Sequence, residues 1–92
     1  MKYLEELEAV LYRRKQELPA RSYTANLFRD GEDRILKKII EATGEVMVST
    51  KNNDPEELMS SLGDLIFHLQ ILLVQKNLSL KDVVQVLEKR HR

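Results

Sequence analysis

Apolar residues recur at helical spacing along almost the whole chain. From Tyr3 to Gln16, Leu4, Leu7, Val10 and Leu11 share one side with charges between them, which predicts an amphipathic helix ending before Pro19. Ser22 then suits the cap of a short helix through Leu27 and Phe28, and Gly31 suits its stop. Tyr23 and Phe28 read as packing residues. A long helix follows from about Glu32 to Lys51. At about 100° per residue, Ile35, Ile39, Ile40, Thr43, Val46, Met47 and Thr50 form its face. Ala42 and Glu45 sit on a flank of that face, and Glu41 falls on the other side with Lys37, Gly44 and Val48. Glycine inside a helix costs roughly 1 kcal/mol against alanine, so Gly44 predicts a closely packed neighbour.

Asp54-Pro55-Glu56-Glu57 is a strong helix start, with a capping acid, proline at the first helical position and acids in the first turn. Beyond it Leu58, Met59, Leu62, Leu65, Ile66, Leu69, Leu72 and Leu73 make a broad face, while Phe67, Ile71 and Val74 make another roughly opposite. A helix apolar on two sides is buried on two sides, and in a short chain the second layer is expected from another subunit. Asn77 suits a left-handed helix end, and Ser79 with Asp82 predicts a capping box for a last helix whose core face is Leu80, Val83, Val84 and Leu87. The basic runs Arg13-Arg14-Lys15 and Lys89-Arg90-His91-Arg92 both suit the negative end of a helix dipole, the first being also a candidate phosphate contact. These elements predict an all-α fold, a small antiparallel helical bundle of one domain (1–92) completed by dimerisation, and organised around the two long helices between Ile35 and Gln75.

Composition narrows the function. Ninety-two residues can bury a core only with little margin, which also favours a dimer. Fifteen basic and fifteen acidic residues cancel, so no global positive field steers the chain to nucleic acid or an anionic membrane, and neither is expected as a partner. The chain has no cysteine, which excludes disulfides and thiolate metal sites and suits a reducing cytoplasm. The first residues form no signal peptide, and no stretch reads as a membrane span.

No glycine-rich phosphate loop, nucleophile motif or His-x-x-x-His pair is present. What remains is carboxylates on facing helices: Glu41 and Glu45 on one, Asp64 on the next. Acids on packed helices can converge on a hard cation such as Mg²⁺, which takes a few carboxylates plus substrate phosphates. The alternative is ordinary: Glu41 and Glu45 as a solvated pair, and Asp64 salt-bridged to a lysine such as Lys38. Asp64 lies among Phe67, Ile71 and Val74, where an acid needs a partner or a metal. His68, one turn on, either packs, orients Asp64 or contacts a phosphate. Lys38 and Lys51 are candidate phosphate contacts or solvated surface lysines.

Ser22-Tyr23-Thr24 with Leu27-Phe28, the run Gly31-Glu32-Asp33-Arg34-Ile35-Leu36-Lys37-Lys38-Ile39, Glu41, Glu45-Val46, Lys51-Asn52-Asn53-Asp54, Asp64-Leu65 with His68-Leu69, and Leu78-Ser79-Leu80 with Asp82-Val83 together resemble the phosphoribosyl-ATP pyrophosphohydrolases of histidine biosynthesis. These are a branch of the MazG-type all-α nucleoside triphosphate pyrophosphohydrolases. The resemblance implies a MazG-like homodimeric bundle, Mg²⁺ dependence, and hydrolysis of a small-molecule nucleotide, phosphoribosyl-ATP, to phosphoribosyl-AMP and pyrophosphate. It implies Glu41 and Glu45 as catalytic acids and Glu45 and Asp64 as metal ligands; Lys38, Lys51 and His68 remain the candidate substrate contacts. The family pattern has Glu-Glu-x-x-Glu on the first long helix and Glu-x-x-Asp on the second; here its second and fourth acids are Ala42 and Ser61. Losing two anionic ligands weakens a carboxylate site, so the alternative reading is a catalytically impaired relative that keeps the fold as a dimeric binding or structural protein.

Overall fold

The breaks between helices fall where backbone and side-chain chemistry put them. Leu18 ends the first helix in the left-handed region at φ 47°, and its carbonyl accepts from the Arg29 guanidinium. Gly31 separates the next two at φ 99°, ψ −178°, a conformation that side-chain-bearing residues rarely adopt. Asn53 and Asn77 turn the chain at φ 54° and 60°. The computed structural model describes residues 1–91, so Arg92 of the C-terminal basic run lies outside the described residues. Among them are five helices and no strand: α1 (Lys2–Glu17), α2 (Tyr23–Asp30), α3 (Glu32–Lys51), α4 (Pro55–Gln75) and α5 (Leu80–Arg90). The all-α expectation holds.

The predicted caps are in place. Ser22 Oγ accepts from the Ala25 amide at 3.1 Å, and Asp54 Oδ1 accepts from the Glu56 and Glu57 amides at 3.0 and 3.3 Å. Asp82 Oδ2 accepts from the Ser79 amide at 2.9 Å, fixing the start of α5. Lys15 does serve a helix C-terminus, but not its own: its Nζ donates to the Val74 and Gln75 carbonyls at 3.0 and 3.3 Å and to Asn77 Oδ1 at 2.9 Å, closing the end of α4.

The core is Leu11 of α1, Leu27 and Phe28 of α2, Ile35 of α3, and Ile71 and Val74 of α4, with Leu7, Tyr12, Ile39, Phe67 and Leu72 packed against it. Each fully buried aliphatic there contributes roughly 1.5–3 kcal/mol. Gln70, also buried, donates Nε2 to the Leu4 carbonyl at 3.0 Å and ties α4 to the start of α1, while its Oε1 has no hydrogen-bond partner among the described residues.

Several expected faces are corrected. On α3 the packed seam is Ile35, Ile39, Ala42, Val46 and Ser49, at alternating spacings of four and three, while Ile40 and Met47 are 72% and 67% exposed. The seam spacing is that of two helices packed side by side, which excludes the misaligned positions 40, 43, 47 and 50. On α4 the smaller face, Phe67, Ile71 and Val74, turns inward, and Met59, Ile66 and Leu69 on the broad leucine face are exposed. The stripe on α5 is no core face: that helix buries no residue, and its main packing is on α1. A Cβ at Gly44 would meet nothing within 4 Å, so no close neighbour explains that glycine. Contrary to expectation, α4 is long and apolar enough to cross a bilayer by length and composition alone. In this fold its inner side packs on α1 and α3, and Glu57, Ser60, Ser61, Asp64 and His68 line the cleft described next.

Candidate active site

α3 and α4 form the largest interface in the fold, an antiparallel hairpin closed by the turn at Asn52–Asp54. Along one edge of it runs a cleft of about 900 Å³, within the range that holds a nucleotide-sized ligand. The seam explains how the acids reach it. With Ala42 and Ser49 turned against α4, Glu41 and Glu45 lie together on the adjoining flank, one turn apart, and both line the cleft. Glu41 is therefore not on the opposite side from Glu45, as the misaligned face had it. From α4, Asp64 comes to the same cleft, one turn before His68. Asp64 is exposed rather than enclosed by Phe67, Ile71 and Val74, so burial does not force a partner on it. Lys38 also lines the cleft, and it pairs with Glu41 at 3.5 Å, not with Asp64. Lys51 is exposed at the end of α3 and is not among the lining residues.

Other lining residues were not anticipated. Glu57 and Ser49 join the cleft, as do Gly44, Val48 and Ser60, and Tyr23, expected as a packing residue, is 48% exposed and lines it too. The signal was available in spacing: Glu57, Ser61, Asp64 and His68 follow one another at four, three and four, a single helical stripe. Ser49 is likewise seven residues from Ala42.

The hydrogen bonds fix several orientations. His68 Nδ1 lies 2.7 Å from the Asp64 carbonyl oxygen, which can only accept, so that nitrogen carries the proton. In the neutral ring Nε2 is then an acceptor, 2.8 Å from the Tyr23 hydroxyl, which donates to it. The rings meet edge to face at 5.9 Å. His68 thus ties α2 to α4 with both nitrogens engaged. Deeper in, the hydroxyls of Ser49 and Ser61 are 2.6 Å apart, and Ser49 Oγ donates to Glu57 Oε1 at 3.3 Å. A hydroxyl has one proton, so with Ser49 donating to Glu57, Ser61 donates to Ser49. Asn52 Nδ2 adds a second bond to the same carboxylate oxygen at 3.1 Å. Ala42 and Ser61 are both nearly buried in the hairpin interface, and the little surface they keep lines the cleft, so the two positions that lack the family's acids form part of its floor.

The lining carries four carboxylates, Glu41, Glu45, Glu57 and Asp64, against the single lysine Lys38. Such a cleft repels a polyphosphate unless a cation enters with it. Among the described residues no three Asp, Glu or His side chains stand close enough to enclose a metal ion alone. Mg²⁺, however, is usually held by one or two carboxylates plus phosphate oxygens and waters. Glu45 and Asp64, lining the same cleft from two helices, fit that shared arrangement rather than a preformed cage.

An all-α domain that brings carboxylates from two helices to one ligand-sized cleft has the arrangement from which helical bundles can build ligand sites. Sequence comparison makes the assignment specific. A profile of the phosphoribosyl-ATP pyrophosphohydrolase family matches residues 4–91. A phosphoribosyl-ATP pyrophosphatase of Leptospira biflexa is 55% identical over 91 residues, 99% of each chain. The corresponding enzyme of Neisseria gonorrhoeae is 41% identical over 87 residues, 95% of this chain and 81% of its own. The histidine biosynthesis bifunctional protein HisIE of Bacillus subtilis is 48% identical over 88 residues, 96% of this chain but 42% of that longer protein. The chain belongs to the phosphoribosyl-ATP pyrophosphohydrolase family.

Proposed function

We propose that this protein hydrolyses phosphoribosyl-ATP to phosphoribosyl-AMP and pyrophosphate in the histidine pathway, as a Mg²⁺-dependent cytoplasmic enzyme. The observation that carries the reading is the meeting of Glu41, Glu45 and Asp64 from two helices on one cleft of nucleotide size, in a chain of this family. Water attacks the α-phosphorus, a new P–O bond forms, the bond to the bridging oxygen breaks, and pyrophosphate leaves. Glu41 and Glu45 orient the water and take up its proton. Glu45 and Asp64 are the residues that would hold Mg²⁺ together with substrate oxygens, and the ion when bound would supply neutralisation of phosphate charge and a more acidic water. Lys38 meets a phosphate after giving up Glu41, and Lys51 approaches from outside the cleft. His68 contacts a phosphate only by releasing Tyr23, whose hydroxyl it now holds. The alternative of a fold kept without its chemistry is not favoured by the enzyme names its relatives carry.

The reading includes a homodimer. Ile40, Met47, Met59, Ile66 and Leu69 expose apolar surface along the outer hairpin, and α5 leaves Val83, Val84 and Leu87 uncovered. The radius of gyration, 14.3 Å, exceeds the roughly 12 Å of a compact domain of this length. A second copy supplies the same chemistry in reverse and covers both.

Purified protein is assayed for pyrophosphate release from phosphoribosyl-ATP with and without Mg²⁺. Turnover of about 1 s⁻¹ or more with the metal is expected, with loss on Glu45→Gln or Asp64→Asn. No release, with activity appearing only in the double variant A42E plus S61E, overturns it. Light scattering across a dilution series tests the dimer.

A further inference from the structure

We propose that Tyr23 receives the base ring of the nucleotide, and that His68 holds it in place to do so. Tyr23 reads in the sequence as a packing residue, yet it is 48% exposed and lines the cleft. The lining has one other aromatic ring among the described residues, His68, and that ring is already engaged. Its nitrogens are bonded to the Asp64 carbonyl and the Tyr23 hydroxyl, and Phe67 meets it edge to face at 5.4 Å. The Tyr23 ring stands at 88° to His68, so the histidine does not stack on it. A phenol ring tethered by its hydroxyl has little rotamer freedom left to lose, and it offers a ready platform to a flat base. The order of residues along the hairpin suits a nucleotide laid lengthwise. Glu57 and Ser49 lie beside the closing turn, Glu45 and Asp64 come next, and Lys38 and His68 lie farther out with Tyr23. His68 is four residues beyond Asp64, about 6 Å along the helix axis. A base on Tyr23 therefore has its sugar over that step and its first phosphate near Glu45 and Asp64. Phosphates need a cation in this acidic cleft, whereas the base takes aromatic surface. Tyr23 is in this view the specificity-determining residue, and His68 a positioning residue that acts through it. The ordinary role of Tyr23 would be to tie α2 to α4 and no more.

The inference rests on reading the cleft as a nucleotide site, so its test reads binding rather than turnover. AMP and ribose 5-phosphate, which differ by the base alone, are titrated by calorimetry into the full chain with Mg²⁺. Hypochromism of the base absorbance and the melting temperature are recorded for each variant. Tyr23→Leu is expected to weaken AMP binding about tenfold and remove the hypochromism, and to leave ribose 5-phosphate unchanged. Tyr23→Trp keeps both. His68→Leu is expected to weaken AMP binding about threefold, and to add nothing once Tyr23 is replaced by leucine. A Tyr23→Leu protein that melts earlier but binds AMP as the wild type does would overturn the proposal. So would a loss of AMP binding on Val48→Asn but not on Tyr23→Leu, since Val48 is the other exposed apolar side chain of the lining. A wild type that binds AMP no better than ribose 5-phosphate overturns it as well. Failure of the wild type to hydrolyse phosphoribosyl-ATP while Tyr23→Leu still weakens AMP alone would sink the substrate assignment and leave this inference standing.

Discussion

α2 and α5 are alike in sequence and opposite in situation. Both are short and amphipathic, and each is preceded by a serine in extended conformation. Yet α2 buries Thr24, Ala25, Leu27 and Phe28, while α5 buries nothing. The difference lies in what surrounds them. α2 is wedged between α1 and α3, whereas α5 is attached mainly along α1. Periodicity and caps are local properties and declare a helix; burial is a property of the neighbours, and a single chain does not always supply them. The site depends on the first of these helices, because Tyr23 at the start of α2 is what His68 holds.

The largest contrast is between two leucines. Leu27→Ala is expected to cost about 2–5 kcal/mol, because Leu27 is 1% exposed and leaves a cavity. Leu87→Ala, 48% exposed on α5, is expected to cost less than about 1 kcal/mol in the isolated chain. Urea unfolding at low protein concentration measures both. An equal loss at the two positions would mean that α5 is covered by a partner even on dilution, and a Leu87→Ala loss that grows with concentration locates α5 in the dimer contact.

How far the fold could be read from the sequence follows the same division. Helix starts and stops at Ser22, Gly31, Asp54, Asn77 and Ser79 were legible because each depends on one residue's own conformation or hydrogen bond. The faces were not. On α3, Ile40 and Met47 outweigh Ala42 and Ser49 in hydrophobicity, so the apolar maximum points away from the real seam. That one rotation error also put Glu41 and Glu45 on different sides and left Ser49 out of the cleft. Of the candidates, Glu41, Glu45, Asp64, Lys38 and His68 line one cleft and Lys51 does not, while Glu57 reads in the sequence only as a helix-start acid. Its stripe with Ser61, Asp64 and His68 shows once the hairpin's closing edge is known.

The two helix starts give a smaller contrast. Ser22→Ala removes the acceptor for the Ala25 amide and is expected to cost about 1 kcal/mol. Because α2 is part of the core, that loss appears as a lower urea midpoint for the whole molecule. Asp82→Ala removes the acceptor for the Ser79 amide at a similar local cost. Because α5 is barely joined to the rest, the midpoint should hardly move, while amide exchange in residues 80–90 accelerates. A shared, global drop for both variants would erase the distinction between the helices.

The smallest effect concerns the bond that holds the α4–α5 connection. The Tyr12 hydroxyl donates to the Leu78 carbonyl at 2.7 Å, and the Leu80 amide donates to Glu8 at 2.8 Å, so α1 carries the start of α5. Burial, then the nearby carboxylates of Glu8 and Asp82, raise the Tyr12 pKa above its ordinary 10.0. Folding therefore favours the protonated phenol. The stabilisation it brings is complete below pH 10.0 and is lost as pH rises through the higher folded value, where a phenolate can no longer donate and is repelled by both acids. α5 should accordingly loosen at alkaline pH before the α1–α4 core does. Tyr12→Phe should abolish that step and lower stability by at most about 1 kcal/mol at neutral pH, the worth of one solvent-accessible hydrogen bond. Ultraviolet titration of the tyrosines, run beside proteolysis within residues 76–80, separates the two events. Loosening of α5 that persists unchanged in Tyr12→Phe would show that the helix is held by something other than this bond.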